Sequence, residues 1–191
     1  MILPIVAYGA AILRKVSVPI DANYPNLTEL IASMWETMYE SNGVGLAAPQ
    51  VNKNIRLFVM DSQQIFDNVE EGDEVYPDAP GIKRVFINAQ IVATGGNDWV
   101  YNEGCLSIPK IREDVLRAET VTLSYMDENF VQQEATFNGM TARIILHEYD
   151  HIEGKLFIDY IKPLRKKMLQ GKLNDIAKGK VRVDYKMIQI K

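Results

Sequence analysis

The segment at 139–154, GMTARIILHEYDHIEG, limits the folds open to this chain more than any other. Asn138 stands where an N-cap is needed and Gly154 where a helix ends. Between them Met140, Ile144, His147 and His151 fall at spacings of 4, 3 and 4 along one stripe, while Ile145, Leu146, Tyr149 and Ile152 make most of the remaining circumference apolar. A helix apolar nearly all round is normally buried. This one also carries two imidazoles and the carboxylates of Glu148 and Asp150, and buried polar groups are costly unless they are paired or coordinate something. The fold has to close around this helix and supply partners to its polar side chains.

Strands for that enclosure are easy to find. IRLFVMD (55–61), RVFINAQIVAT (84–94), TVTLSYMD (120–127) and VQQEATF (131–137) are rich in β-branched and aromatic residues and bounded by turn formers, with a hairpin expected across Asp127, Glu128 and Asn129. NLTELIASMWETMYES (26–41) places Leu27, Leu30, Ile31, Met34 and Met38 at helical spacing, with Asn26 as N-cap and Glu29 three residues on. The closing VRVDYKMIQI alternates, which predicts a last strand or an arm laid across another subunit. The pattern predicts an α+β fold, with mixed and antiparallel strands wrapped around the buried central helix. A chain of 191 residues, 47% of them apolar, suits one domain with a sizeable core.

A single cysteine, Cys105, excludes a disulfide framework and a Cys-rich zinc module, so a reducing, cytoplasmic setting is expected. No apolar run approaches the roughly 18 residues that span a bilayer, and no membrane partner is expected. Charge is unevenly spread. Residues 1–154 carry 10 basic against 22 acidic side chains, net −12, and residues 155–191 carry 11 against 3, net +8. The basic stretch contains a helix starting at Pro163 with Leu164, Met168, Leu173 and Ile176 on a rough apolar face. It reads either as a solvated helix or as a surface that approaches a polyanion. DNVEEGDEVYPDAP (67–80), with six acidic residues and no basic one, has the composition of an exposed loop.

Chemistry concentrates in three strings. Histidines four apart on a helix share a face and can point at one metal ion, with the intervening Glu148 on the flank as a general base. Two ligands leave such a site incomplete, and the third is a thiolate or another carboxylate. Cys105 lies in NEGCLSIP, where Gly104 relaxes the backbone and Pro109 ends any run, so a tight segment is expected there. GVGLAAPQ (43–50) permits close backbone approach to a ligand and ends in the amide of Gln50.

Taken together, GVGLAAPQ, EGCLS (103–107) and HEYDH (147–151) resemble, in order, the three signature motifs of peptide deformylases, the metallohydrolases that remove the formyl group from N-formylmethionyl nascent polypeptides. The resemblance implies that Cys105, His147 and His151 bind one divalent ion, Fe(II) first, with nickel, cobalt or zinc as replacements. It implies that Glu148 is the acid/base, that Gln50 and the backbone N–H of Leu106 stabilise the oxyanion, and that Gly45 holds the substrate main chain. Val44, Tyr101 and Ile144 are candidates for the walls of the methionine pocket, and Arg112 matches a position where the family commonly has an arginine near the substrate backbone. Asp150 either orients an imidazole or forms a helix ion pair. The resemblance covers residues 1–165 as a catalytic region with an acidic surface insertion at about 62–82, and leaves 166–191 as a basic C-terminal helix and tail that could meet the ribosome. DNA is not an expected partner. Two other readings compete: a metallopeptidase, which shares H-E-x-x-H, and a non-catalytic metal-stabilised binding module.

Overall fold

Alternation within one strand explains the layering. The computed structural model describes residues 1–67 and 78–190, and in it β3 (Leu57–Asp61) is buried along its whole length. Phe58 and Met60 point into a cluster with Phe86, Phe137, Ile144 and Ile145, whereas Leu57 and Val59 point the other way, into a cluster with Met34, Met38 and Ile87. A strand with period-2 side chains and apolar cover on both faces reads as a continuous apolar run. β3 sits inside a five-stranded antiparallel sheet ordered β2 (Gly45–Ala47), β3, β4 (Lys83–Gly95), β7 (Thr120–Met126), β8 (Gln132–Asn138). Helix α1 (Leu27–Glu40) covers one face through Leu30, Met34 and Met38. Helix α3 (Gly139–Ile152) covers the other and buries twelve of its fourteen residues. The hairpin at 127–129 forms as expected, the Asp127 carboxylate accepting from the N–H groups of Asn129 and Val131.

The cap assignments come out differently. Asn26 adopts a left-handed backbone (φ 56°) and its side chain makes no capping bond, and Asn138 is extended and makes none either. For α3 a residue distant in sequence takes over: the Asp78 carboxylate accepts from the N–H groups of Met140 (3.2 Å) and Thr141 (2.7 Å) and from the Thr141 hydroxyl (2.6 Å). Asp78 closes the acidic segment, whose residues 68–77 lie outside the described residues. At its start a short helix, α2 (Gln63–Phe66), follows β3 directly.

A hairpin of β5 (Trp99–Cys105) and β6 (Ile108–Arg117) is the element the sequence patterns missed. Cys105 ends β5, opposite Ile108. Pro109 stands second in β6 and does not stop the run, because a two-stranded ribbon leaves every other backbone N–H without a ladder partner to lose. Helix α4 (Pro163–Ala177) also corrects its expected face. Leu164 and Met168 are 74% and 67% exposed, and the buried stripe is Leu169, Leu173 and Ile176, packed with Ile108, Ile111 and Val115 of β6. The basic segment therefore shares a core with the cysteine hairpin. The closing residues form β9 (Met187–Ile188), parallel to β1 (Ile5–Val6) of the same chain, so the arm is laid on its own subunit. Among the described residues no helix is long and apolar enough to cross a membrane.

Candidate active site

Period and register bring the three strings together. On α3 the four-residue spacing puts His147 and His151 on one face, their rings 5.1 Å apart. On β5, Glu103 and Cys105 are two residues apart and share a face, which turns toward α3. The Cys105 Sγ lies 3.3 Å from His151 Nε2, and one ligand atom from each of Cys105, His147 and His151 lies within 4.8 Å of the others. His147 Nδ1 is 3.0 Å from Glu103 Oε2, which leaves Nε2 for the cluster. One thiol and two imidazoles at this separation form a donor set that suits a borderline divalent ion, and the carboxylate behind His147 is the kind of outer partner that fixes a ligating imidazole.

Glu103 is itself held hard. Arg117 donates to both its oxygens (2.7 and 3.0 Å) and Arg143 to one (2.9 Å), while Arg117 also reaches Asp150 Oδ2 at 2.6 Å and Tyr160 donates to Asp150 Oδ1 at 2.8 Å. Arg143 donates further to the carbonyls of Val115 and Trp99 and stacks 4.4 Å over the Trp99 ring. Burial pushes the Glu103 carboxyl up, but the hydrogen bonds from His147 and Arg117 outweigh it and hold the group well below the usual carboxylate range. Asp150 pairs with Arg117 of β6, so it neither bonds an imidazole directly nor forms an ion pair within its own helix; it ties α3 to the arginine that also holds Glu103. Glu103, Arg117 and Arg143 were not among the sequence candidates. Their one signal is the carboxylate two residues before Cys105 in EGCLS, on the face that strand alternation assigns to the cysteine.

Glu148 is 4% exposed, and one of its carboxylate oxygens, Oε2, has no hydrogen-bond partner among the described residues. Burial is the main cause that raises its pKa to about 7, with the nearby His147 pulling the other way. A Cβ on Gly45 would run into the Glu148 side chain, so glycine here leaves the carboxylate its place against β2. Gln50 has its amide oriented from behind: its Oε1 accepts from the Ala47 N–H (2.9 Å), which turns Nε2 toward Cys105 Sγ (3.5 Å) and Ser107 Oγ (3.3 Å).

These groups open onto a cavity of about 740 Å³. Val44, Gly45, Gln50, Tyr101, Cys105, Leu106, Arg112, Ile144, His147 and Glu148 all line it, whereas His151 and Asp150, both buried, are not part of its lining. Arg112 crosses the rim, bonded to Asn102 and packed over Gly104. Residues 182–185 of the closing arm line the cavity as well, a contribution from the far end of the chain.

The polypeptide deformylase family model matches residues 2–167. The chain belongs to that family. The peptide deformylase of Flavobacterium johnsoniae is 53% identical over 187 residues, 98% of this chain and 95% of its own length. That of Cytophaga hutchinsonii is 44% identical over 187 residues, 98% of this chain and 97% of its own. Among solved structures, a peptide deformylase from Legionella pneumophila matches with a TM-score of 0.79 at 35% identity, covering 96% of this chain and 99% of that one. This deformylase is a metal-dependent hydrolase, and its reaction is removal of the N-formyl group from nascent peptides. The peptidase and binding-module readings find no counterpart in these relatives. The family match ends early in α4, yet the relatives extend over nearly the whole chain, so the arm after α4 is part of what they share in length.

Proposed function

We propose that Cys105, His147 and His151 hold a single divalent ion and that Glu148, Gln50 and the Leu106 N–H carry out deformylation of N-formylmethionyl nascent chains around it. The observation that carries this reading is the convergence of the three donors beside a buried carboxylate with an unpartnered oxygen. When bound, the ion supplies Lewis acidity, activating water and polarising the formyl oxygen. Glu148 then takes a proton from the attacking water and delivers it to the departing methionine amine, so that formate and a free amine leave. Gln50, its amide locked by Ala47, and the Leu106 N–H donate to the oxygen that becomes negative in the tetrahedral intermediate, a contribution of about 3–4 kcal/mol for a well-placed donor. Gly45 lets the substrate main chain run alongside β2, Val44, Tyr101 and Ile144 wall the methionine side chain, and Arg112 meets the peptide beyond it.

Fe(II) is the ion the family resemblance implies, and a thiolate ligand makes such a site oxygen-sensitive. A cytoplasmic setting keeps Cys105 reduced. The exposed basic face of α4 faces outward for contact with ribosomal RNA. Formate release from formyl-Met-Ala-Ser, measured beside cleavage of the unformylated peptide, tests the reaction; activity on the latter alone sinks it. Anaerobic metal analysis with activity before and after air exposure tests the ion, and air-stable activity with zinc as the sole metal would remove iron. Glu148→Gln is expected to keep the metal and lose at least about 100-fold in turnover; near-normal turnover would take the proton-transfer role from Glu148.

A further inference from the structure

The turn between β5 and β6 has only two residues, Leu106 and Ser107, and it carries Cys105 on one side and the Leu106 N–H within it. The ladder is irregular there, since the register shifts between Gly104 and Cys105. Regular strand pairing does not by itself fix this peptide, and bonds from outside the hairpin do. The Tyr8 N–H donates to the Ser107 carbonyl (2.8 Å), Gln50 Nε2 reaches the Ser107 hydroxyl (3.3 Å), and the Tyr185 hydroxyl donates to the Leu106 carbonyl (2.7 Å).

Tyr185 comes from the closing arm. The arm is anchored immediately after it: the Lys186 carbonyl accepts from the Ile5 N–H and the Ile188 carbonyl from the Ala7 N–H, each at 2.8 Å. The ring packs in the same apolar cluster as the Leu106 side chain, and both residues line the active cavity. An aromatic ring wedged against apolar neighbours has two torsions to order, so its hydroxyl is held in place at little entropic cost, and a hydrogen bond in such a half-buried spot is stronger than in water.

We propose that Tyr185 is a positioning residue of deformylation: its hydroxyl pins the Leu106 carbonyl and so keeps the Leu106 N–H and the Cys105 thiol in register with Gln50 across the cavity. This rests on Leu106 serving as an oxyanion donor. The closing arm, in this reading, is a clamp on the reaction site that the three sequence motifs do not contain.

Tyr185→Phe, made in the full-length holoenzyme, keeps the ring and removes one O–H. The net worth of such a bond predicts a fall of about fivefold to tenfold in kcat on formyl-Met-Ala-Ser, with KM within about twofold and the metal content unchanged. Tyr185→Ala is expected to lower the melting temperature further while adding little to the loss of kcat per bound metal. A kcat equal to wild type in Tyr185→Phe overturns the proposal, as does a rise in KM at constant kcat, which would make Tyr185 a substrate contact. A purely structural role would lower the melting temperature and leave kcat per bound metal unchanged, and that result overturns it too. Hydrogen exchange of the Leu106 and Ser107 amides reads the pin without reference to the reaction. Faster exchange in Tyr185→Phe is expected and equal exchange counts against the pin, whereas a wild-type enzyme that releases no formate would sink the deformylase reading instead.

Discussion

Glu103 is not one of the three clustered donors, yet the orientation of the proposed metal site depends on it. It accepts from two arginines and faces His147, and with Asp150 it makes two buried carboxylates against the two buried guanidiniums of Arg117 and Arg143. Such a network is tolerable in a core because its charges balance and most of its donors and acceptors are used. Removing the one charge at its centre leaves two arginines facing one carboxylate. Glu103→Gln is therefore expected to weaken metal binding by about 10- to 100-fold, since the imidazole loses its anionic partner. It should also destabilise the protein by about 3–5 kcal/mol. Anaerobic metal titration and denaturant unfolding measure the two effects, and metal affinity equal to wild type would show that His147 does not need this carboxylate. His147, His151, Cys105 and Gln50 were legible in the sequence because short-range spacing and local strings carry them. The supporting ions were not, because a charged residue in isolation reads as surface, and Glu103, Arg117 and Arg143 meet only once the β5–β6 ribbon is laid against α3.

At the level of elements, the periodic segments were legible and their ends were not. Strands at 55–61, 84–94, 120–127 and 131–137 and the helices at 26–41 and 139–154 appear with small shifts of boundary, because apolar alternation and helical stripes report burial directly. Caps depend on what lies nearby in space. Asn138 occupies the right position for α3 and makes no capping bond, whereas Asp78 comes from sixty-odd residues upstream to accept from two N–H groups of the first turn. A carboxylate at a helix N-terminus satisfies orphan donors and complements the positive end of the dipole. Asp78→Ala should cost about 1–2 kcal/mol in denaturant unfolding, while Asn138→Ala should stay within about 0.5 kcal/mol as a surface change. Equal costs for the two substitutions would refute the assignment. In α4 the spacing itself favours the buried stripe. Leu169, Leu173 and Ile176 are spaced 4 and 3, whereas the candidate stripe of Leu164, Met168, Leu173 and Ile176 contains a step of 5 that carries it off one face, and packing against β6 buries the tighter set.

Over the whole molecule, charge is separated more sharply than the net value of −4 suggests, with −12 on residues 1–154 and +8 on residues 155–191. Removing residues 165–191 would look like the direct test of whether the basic end meets ribosomal RNA, but the fold forbids it. Leu169, Leu173 and Ile176 are core residues, and the arm beyond them supplies β9 and Tyr185, so truncation would empty part of the core that backs Cys105. Substituting exposed cations avoids this. Lys167, Lys172 and Lys178 are all exposed on or just after α4, and none lines the active cavity. Changing the three to glutamine should leave deformylation of a short formyl peptide unchanged. If these side chains meet phosphates, each contact releases counterions, and the slope of log affinity against log salt should shrink by about 2 for the loss of three. Ribosome pelleting or light scattering over a salt series measures the slope. A slope unchanged by the triple substitution would mean that the basic end is a solvated face, its charge serving solubility, with no role in bringing the enzyme to its nascent substrates.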